Sequence, residues 1–118
     1  MSEHKQAETC VAYVRVSSTR QAEEGVSIEA QIRRVKAYAE YRNFVLPDEH
    51  IFIDEGISAG MPLWKRPAAK QMKAFIIKQK IKHIFAYRMD RLFRSTIDCL
   101  ATVEELDEFG VGIHFCES

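Results

Sequence analysis

The stretch CVAYVRVSS, residues 10–18, begins as an apolar run, contains one arginine and ends in two hydroxyl side chains. Its apolar and β-branched residues predict a buried strand over residues 10–16. Because side chains alternate across a strand, Tyr13, Arg15 and Ser17 are expected on the same face. A buried guanidinium keeps its charge, so Arg15 is expected to need an anionic partner.

Three more strands and three helices are predicted along the chain. The strands are HIFID (50–54), KHIFAYR (82–88) and VGIHF (111–115). The first helix is predicted to begin after Ser27 and the third after Ser95, because serine is a good N-cap. The second is predicted to begin at Pro67, because proline suits the first turn of a helix. Their apolar stripes are Ile28, Ile32, Val35 and Ala39, then Ala69, Met72, Phe75 and Ile76, then Ile97, Leu100, Val103 and Leu106, with Gly110 after the third helix.

The order β-α-β-α-β-α-β predicts an α/β fold, a mostly parallel sheet with helices on both faces. The chain has 118 residues, enough for one domain, which we expect at residues 10–118 after a flexible lead-in at residues 1–9. The sequence shows no secretory signal and no apolar run of membrane-spanning length. Its three cysteines lack metal or CxxC spacing, which fits a reducing cytosol and predicts a cytoplasmic protein.

Positive charge is concentrated in the middle of the sequence, although the formal net charge is zero. Residues 64–94 hold ten Lys/Arg and one acid, whereas residues 95–118 hold six acids and no Lys/Arg. A basic segment of this kind attracts polyanions such as nucleic acid. Its lysines also suit an ordinary solvated helix face, but that interpretation explains the arginines less well.

In a parallel α/β sheet, ligands bind beyond the carboxyl ends of the strands. The first strand ends there at Ser17 and the second at Asp54. The third ends in YRMDRLFRS, which carries Arg88, Arg91 and Arg94. Because Arg91 and Arg94 are three residues apart, a helical turn would aim both the same way.

A fourth arginine, Arg66, stands at the edge of the loop EGISAGMPLWK (55–65), whose glycines and proline predict mobility. Guanidinium groups bind phosphate oxygens bidentately, and several of them around Ser17 match the charge of a phosphoryl transition state. Two anions for Arg15 stay open, the carboxylate of Asp54 or a group that arrives with the substrate.

Other site chemistries have little support in the sequence. No GxxxxGK[ST] or GxGxxG motif is present, and no histidine and carboxylate spacing indicates a metal site. A Mg²⁺ ion at Asp54 or Asp90 stays an alternative, but arginines neutralise phosphate without a metal. His83 and His114 fall in strands and are interpreted as sheet residues rather than ligands. A flavodoxin-like receiver or phosphatase would need clustered acids or a Cys-based phosphate loop, which the sequence lacks.

Five short motifs follow one another in the order YVRVSS, SIEAQ, DEGISAG, KRP and DRLFRS. In this order and spacing they resemble the serine site-specific recombinases, the resolvase/invertase family. The likeness is strongest to the catalytic domain of the large serine recombinases, which include integrases and transposon excisionases. It extends from Val11 to the C-terminus, and it implies a resolvase-like domain that acts on double-stranded DNA.

The resemblance also implies the reaction. Ser17 matches the nucleophile that attacks a DNA phosphodiester, giving a 5′-phosphoserine link and a free 3′-hydroxyl. Bond energy is conserved, so no ATP or other cofactor is expected. Ser18 is the rival nucleophile, but strand alternation favours Ser17 because it shares the face of Arg15.

The family's site residues transfer to this sequence motif by motif. The matched catalytic residues are Ser17, Arg15, Gln31, Arg66, Asp90, Arg91 and Arg94. The supporting residues are Tyr13 and Asp54, with Ser58 as a phosphate contact, and the DNA-binding arginines are Arg66, Arg88, Arg91 and Arg94.

Two departures from the family pattern are relevant. The loop reads ISAG where the family often has SG, so its geometry around Ser58 is expected to differ. The family's long dimerising helix and DNA-binding modules do not follow Ser118 in this sequence, so we expect the isolated domain to be inactive or weakly active. In the full-length protein we expect dimers and tetramers. A domain kept only for assembly is the alternative, which the retained serine and arginines disfavour.

Overall fold

The computed structural model describes residues 7–17 and 26–117. The strands in these ranges are β1 (Glu8–Thr9), β2 (Val11–Val16), β3 (Phe44–Val45), β4 (Ile51–Glu55), β5 (His83–Arg88) and β6 (Gly112–Glu117). The α-helices are α1 (Ile28–Tyr41), α2 (Pro67–Gln79), α3 (Met89–Leu92) and α4 (Thr96–Glu108). Short 3₁₀ helices lie at Asp48–His50 and Leu63–Lys65. None of the helices in these ranges is long and apolar enough to cross a membrane.

The main sheet has the strand order β4-β2-β5-β6, and each neighbouring pair is parallel. This arrangement confirms the predicted α/β fold. Because β2, β4 and β5 are parallel neighbours, their carboxyl ends lie at one edge of the sheet, with Arg15 opposite Asp54 in the register. Glu8 and Thr9, which the sequence places in the lead-in, instead form a short parallel ladder with Phe44 and Val45.

Helices cover both faces of the sheet. On one face α1 buries Val35 and Ala39 against Cys10, Ala12 and Phe85. On the other face, the buried residues of the strands and of α2 and α4 form a second cluster. Its members include Val11, Tyr13, Ile84, Ala86, Ala69, Met72, Ile76, Cys99 and Leu106. Since Arg15 alternates with Val11 and Tyr13, it belongs to the α2 side of the sheet.

The predicted helix ends are confirmed. The Ser27 hydroxyl accepts a hydrogen bond from Ala30 N at 3.1 Å, and the Ser95 hydroxyl accepts one from Asp98 N at 3.1 Å. Pro67 is the first residue of α2. Gly110 follows the C-cap residue of α4 with a φ of 74°, a conformation that suits glycine.

The apolar stripe predicted for the third helix is wrong in part. Leu106 is buried, but Ile97 is 77% exposed and Leu100 is 59% exposed. The helix instead buries Cys99 with Leu106. A step of three residues turns about 300°, so three successive steps drift to roughly the opposite side of a helix. Residues seven apart stay on one face of a helix, as the buried Cys99 and Leu106 do.

Candidate active site

The carboxyl end of β2 delivers Ser17 to the edge of the sheet. Ser17 comes directly after Val16 and is half-buried. The backbone N–H groups of Gly56 and Ile57 donate to Val16 O at 2.9 and 3.3 Å. The loop that follows β4 therefore starts beside the residue that precedes Ser17. Ser18 lies outside the described residues.

Arg15 connects this loop to the segment that follows β5. Its side chain is buried, with 8% exposed. Its Nε donates to Arg91 O at 2.8 Å, and its Nη1 donates to Ile57 O at 2.6 Å. Backbone carbonyl oxygens thus take up part of the hydrogen-bonding capacity that the sequence assigned to an anion.

Arg66 makes a second connection between the same two segments. It is 1% exposed, and its Nε donates to Met61 O at 2.9 Å. Its Nη2 donates to Ala59 O at 3.2 Å and to Leu92 O at 2.8 Å. Its Nη1 is buried and has no hydrogen-bond acceptor within residues 7–17 and 26–117. The guanidinium carbon lies 6.0 Å from the centroid of the Tyr13 ring.

Asp54 serves the start of α2 and is not ion-paired with Arg15. Its carboxylate accepts hydrogen bonds from Ala68 N at 2.9 Å, Ala69 N at 3.1 Å and the Tyr13 hydroxyl at 2.7 Å. Among the described ion pairs, none joins Asp54 to Arg15. Arg66 is the N-cap residue of α2 and supplies no side-chain cap. Asp54 therefore caps the helix from the neighbouring strand and fixes the backbone of Arg66.

Tyr13 is held protonated beneath Arg66. Burial raises the pKa of Tyr13, hydrogen bonding to Asp54 raises it further, and the nearby Arg66 guanidinium partly offsets the rise. A protonated phenol can donate to the Asp54 carboxylate at neutral pH. Tyr13 and Asp54 thus lie next to Arg66 and the start of α2, and their supporting role in the site stays a prediction.

Arg91 and Arg94 do not share a helical turn, so that part of the prediction is wrong. Helix α3 ends at Leu92, and Phe93 is extended with φ −122° and ψ 143°. Ser95, the N-cap of α4, is extended as well, so Arg94 lies between two extended residues and outside both helices. Arg91 is half-buried in α3, and Arg94 is exposed beyond the break.

Arg94 lies over the loop, close to Ser58. A Cβ atom built on Gly60 would sit 2.9 Å from Arg94 Nη1, 3.5 Å from Arg94 Cδ and 3.4 Å from Ser58 Oγ. The Ser58 hydroxyl accepts a hydrogen bond from Gly60 N at 2.9 Å. Ser58 is therefore a turn residue with an exposed side chain beside Arg94.

The other matched residues occupy the rim of the site. The Gln31 amide is buried and donates to Arg15 O and Val26 O, both at 3.3 Å, so it ties α1 to the end of β2. Asp90 is exposed and accepts two hydrogen bonds from Arg88, at 3.0 and 2.9 Å. The Asp90 carboxylate raises the pKa of Arg88.

A groove of about 480 Å³ opens next to Arg94 and Arg66, between the loop and α4. Its wall includes Trp64, a residue that the sequence gave no reason to single out. Trp64 Nε1 donates to Glu105 at 3.0 Å, and Lys73 donates to the other Glu105 oxygen at 2.8 Å. This network fastens α4 to α2.

Within residues 7–17 and 26–117, no group of three His, Cys, Asp or Glu side chains could hold a metal ion.

The two strand histidines lie away from this edge. His83 Nδ1 is 2.9 Å from His114 Nε2, so the two imidazoles are partners of each other. Burial lowers the pKa of His114, with smaller contributions from His83 and Arg42. The interpretation of both as sheet residues is confirmed.

Comparison with known proteins identifies the family. Residues 10–118 match the family model described as Resolvase, N terminal domain. The chain belongs to the resolvase family. The recombinase domain resembles the N-terminal catalytic domain of TP901-1 integrase with a TM-score of 0.80 and 31% identity, over 92% of this chain and 78% of that one. No curated protein matches the sequence.

Two further solved structures share the fold at lower identity. One is the C-terminal catalytic domain of ISC1926 TnpA, an IS607-like serine recombinase, with a TM-score of 0.72 and 22% identity over 93% of this chain and 71% of that one. The other is a resolvase family site-specific recombinase from Streptococcus pneumoniae, with a TM-score of 0.69 and 24% identity over 92% of this chain and 72% of that one.

Family membership confirms the resemblance that the five motifs indicated. The chain is a serine recombinase catalytic domain, and its activity class is site-specific DNA recombination.

Proposed function

We propose that Ser17 of this recombinase cleaves and rejoins DNA through a covalent phosphoserine. The Ser17 hydroxyl loses its proton as its oxygen forms a bond to the scissile phosphorus. The bond from phosphorus to the 3′-oxygen breaks, and the leaving 3′-oxygen takes up a proton. Attack by the 3′-hydroxyl of an exchanged strand reverses these steps and releases the serine.

The observation that carries this proposal is the double connection made by Arg15 and Arg66. Both side chains join the loop after β4 to the segment after β5, at the edge where β2 delivers Ser17. Arg91 and Arg94 belong to that segment, so the connections hold two further guanidinium groups at the same edge. Such a site matches the negative charge of a phosphoryl transition state.

The arginines divide the work according to their burial. Arg94 is exposed beside the groove and contacts the phosphate directly. Arg66 is almost fully buried, and hydrogen bonds to carbonyl oxygens leave its net charge in place. It therefore fixes the loop while adding to the positive potential at the scissile phosphate.

The rim residues act on position and affinity. Gln31 holds the end of β2, and therefore the backbone before Ser17. Arg88 contacts the DNA backbone, and Asp90 orients it through their paired hydrogen bonds. Ser58 contributes a phosphate contact from the loop. We assign no cofactor, since arginines supply the charge stabilisation.

The partners follow from the family reaction. Strand exchange joins ends from two DNA sites, so we propose that the full-length protein pairs on each duplex and forms a tetramer in the synapse. Base recognition requires regions other than this domain, because phosphate contacts carry no sequence information. We place the enzyme in the cytoplasm, where its DNA substrate is.

A suicide-substrate assay tests the nucleophile. A longer form that carries the family's DNA-binding regions is incubated with nicked DNA containing its site. We expect a protein–DNA adduct that retains a label on the newly made 5′ phosphate, and a free 3′ end that a polymerase extends. Ser17→Ala abolishes the adduct, whereas the matched variant Ser18→Ala retains it. An adduct that persists in Ser17→Ala would assign the attack to another residue, and no adduct in the unaltered protein would favour a domain kept for assembly.

A further inference from the structure

Gly60 lies against a guanidinium without any need for a glycine conformation. Among the described glycines, the positive φ values belong to Gly56 and Gly110, at 78° and 74°. Alanine therefore fits the backbone at position 60. The obstacle to a larger residue is the Arg94 side chain, because a Cβ atom added at position 60 would lie 2.9 Å from Arg94 Nη1. That separation is shorter than normal contact and requires an atom to move.

The loop beneath Arg94 is held from several sides. Arg15 donates to Ile57 O, and Arg66 donates to both Ala59 O and Met61 O. Inside the loop, Gly60 N donates to the Ser58 hydroxyl at 2.9 Å and Met61 N donates to Ser58 O at 3.1 Å. These contacts leave the loop backbone little freedom to yield.

Arg94, in contrast, has a long side chain that is exposed. Among the described residues it makes no hydrogen bond or ion pair with a side chain. A methyl group at position 60 would therefore displace the guanidinium rather than the loop. The expected consequence is a folded protein of nearly unchanged stability whose Arg94 lies in another place.

We propose that Gly60 is a positioning residue, the seat over which the Arg94 guanidinium reaches the scissile phosphate. This inference rests on the proposed role of Arg94 in DNA cleavage. Displacement of a reacting group by about 1 Å can cost on the order of 10²-fold in rate.

The test compares Gly60→Ala with Gly112→Ala in the suicide-substrate assay at saturating DNA. A Cβ on Gly112 would lie at an ordinary 3.8 Å from His114 Nε2, so this variant controls for adding one methyl group. We expect Gly60→Ala to slow adduct formation about 10²-fold, with an unchanged melting temperature. Gly112→Ala should keep the full rate. A full rate in Gly60→Ala overturns the inference.

Two further readouts separate positioning from general damage. In an Arg94→Lys background, Gly60→Ala should change the residual rate by less than about twofold, because the clashing Nη1 atom is gone. An equal loss in both backgrounds overturns the inference.

The second readout is the Arg94 Nε–H resonance, assigned by its disappearance in Arg94→Lys. It should shift in Gly60→Ala and stay in place in Gly112→Ala. This readout needs no DNA, so it reports the position of Arg94 even if the unaltered protein forms no adduct. The lack of an adduct would count against the proposed function alone. An unmoved resonance overturns the inference.

Discussion

Arg66 and Arg94 flank the same loop and carry the same charge, yet their surroundings are opposite. Arg66 is 1% exposed and donates to three carbonyl oxygens from two segments. Arg94 is exposed and lies across Gly60. Buried hydrogen bonds to the backbone hold structure, whereas an exposed guanidinium stays available for a ligand. A shared motif therefore does not mean a shared role.

Among the ion pairs between described residues, none involves the buried Arg66, so its positive charge is kept inside without a carboxylate partner there. Asp54 is near Arg66 in the fold, but its carboxylate oxygens accept hydrogen bonds from Tyr13 and from the start of α2. Carbonyl oxygens accept hydrogen bonds from Nε and Nη2 of Arg66 and leave its net charge uncancelled. The backbone therefore holds Arg66 in place while this side chain keeps its charge.

The largest effect is expected for substitution of the buried arginine, Arg66. Arg66→Met removes the donors of Ala59 O, Met61 O and Leu92 O. The bond to Leu92 O is buried and the other two are partly buried, and an acceptor that stays buried without a donor costs about 1–3 kcal/mol. We expect the free energy of unfolding to fall by about 3 kcal/mol or more, measured by urea denaturation, together with loss of adduct formation. Arg66→Lys keeps the charge but not the fork, and should recover less than half of the stability. Stability within about 0.5 kcal/mol of the unaltered protein would remove the distinction between the two arginines.

At the exposed end, activity and stability should separate. Arg94→Ala removes the proposed electrostatic contact to the phosphate, so we expect cleavage to slow by roughly 10²–10³-fold. The free energy of unfolding should change by no more than about 0.5 kcal/mol, as for other surface substitutions. Single-turnover adduct formation and urea denaturation of one preparation supply both numbers. A loss of stability as large as that of Arg66→Met would show that Arg94 is also structural.

The positions of the strands and helices that hold the candidate site could be predicted from the sequence. Strand alternation placed Arg15 on the same face as Tyr13, and the capping residues Ser27 and Ser95 fixed two helix starts because their chemistry is local. The parallel order of the strands brought Ser17, Asp54 and Arg88 to one edge. These features depend on short-range propensity and on topology, which a sequence pattern encodes.

The partners of the polar groups could not be predicted in the same way. The sequence offers Asp54 as an anion for Arg15, but backbone carbonyl oxygens are present at every position and leave no mark in a pattern. The seat at Gly60 depends on an approach between segments more than thirty residues apart. The exposure of Ile97 and Leu100 shows the same limit, since spacing alone did not identify the face of α4 that meets the sheet.

Asp54 tests whether the support of Arg66 extends to the start of α2. Asp54→Ala leaves Ala68 N, Ala69 N and the Tyr13 hydroxyl without their acceptor, and loss of a capping side chain costs about 0.5–2 kcal/mol. We expect a smaller loss of stability than for Arg66→Met. The exposed Asp48, which pairs with Lys36 at the surface, provides the control, since Asp48→Ala should cost less than about 1 kcal/mol. Equal losses in the two variants would mean that Asp54 does not support the site.

The smallest effect concerns Tyr13, and its dependence on pH has a defined sign. Tyr13→Phe removes one hydrogen bond to Asp54 and should cost about 1 kcal/mol at pH 8, whereas Tyr41→Phe, at an 83% exposed position, should cost almost nothing. The fold raises the pKa of Tyr13 above its ordinary value of 10.0, mainly through burial. Its stabilising contribution is therefore complete below pH 10 and falls as the pH rises further, because only the unfolded chain then loses the proton. The stability difference between the unaltered protein and Tyr13→Phe should shrink above pH 10, and a difference that grows there would contradict a phenol held protonated under Arg66.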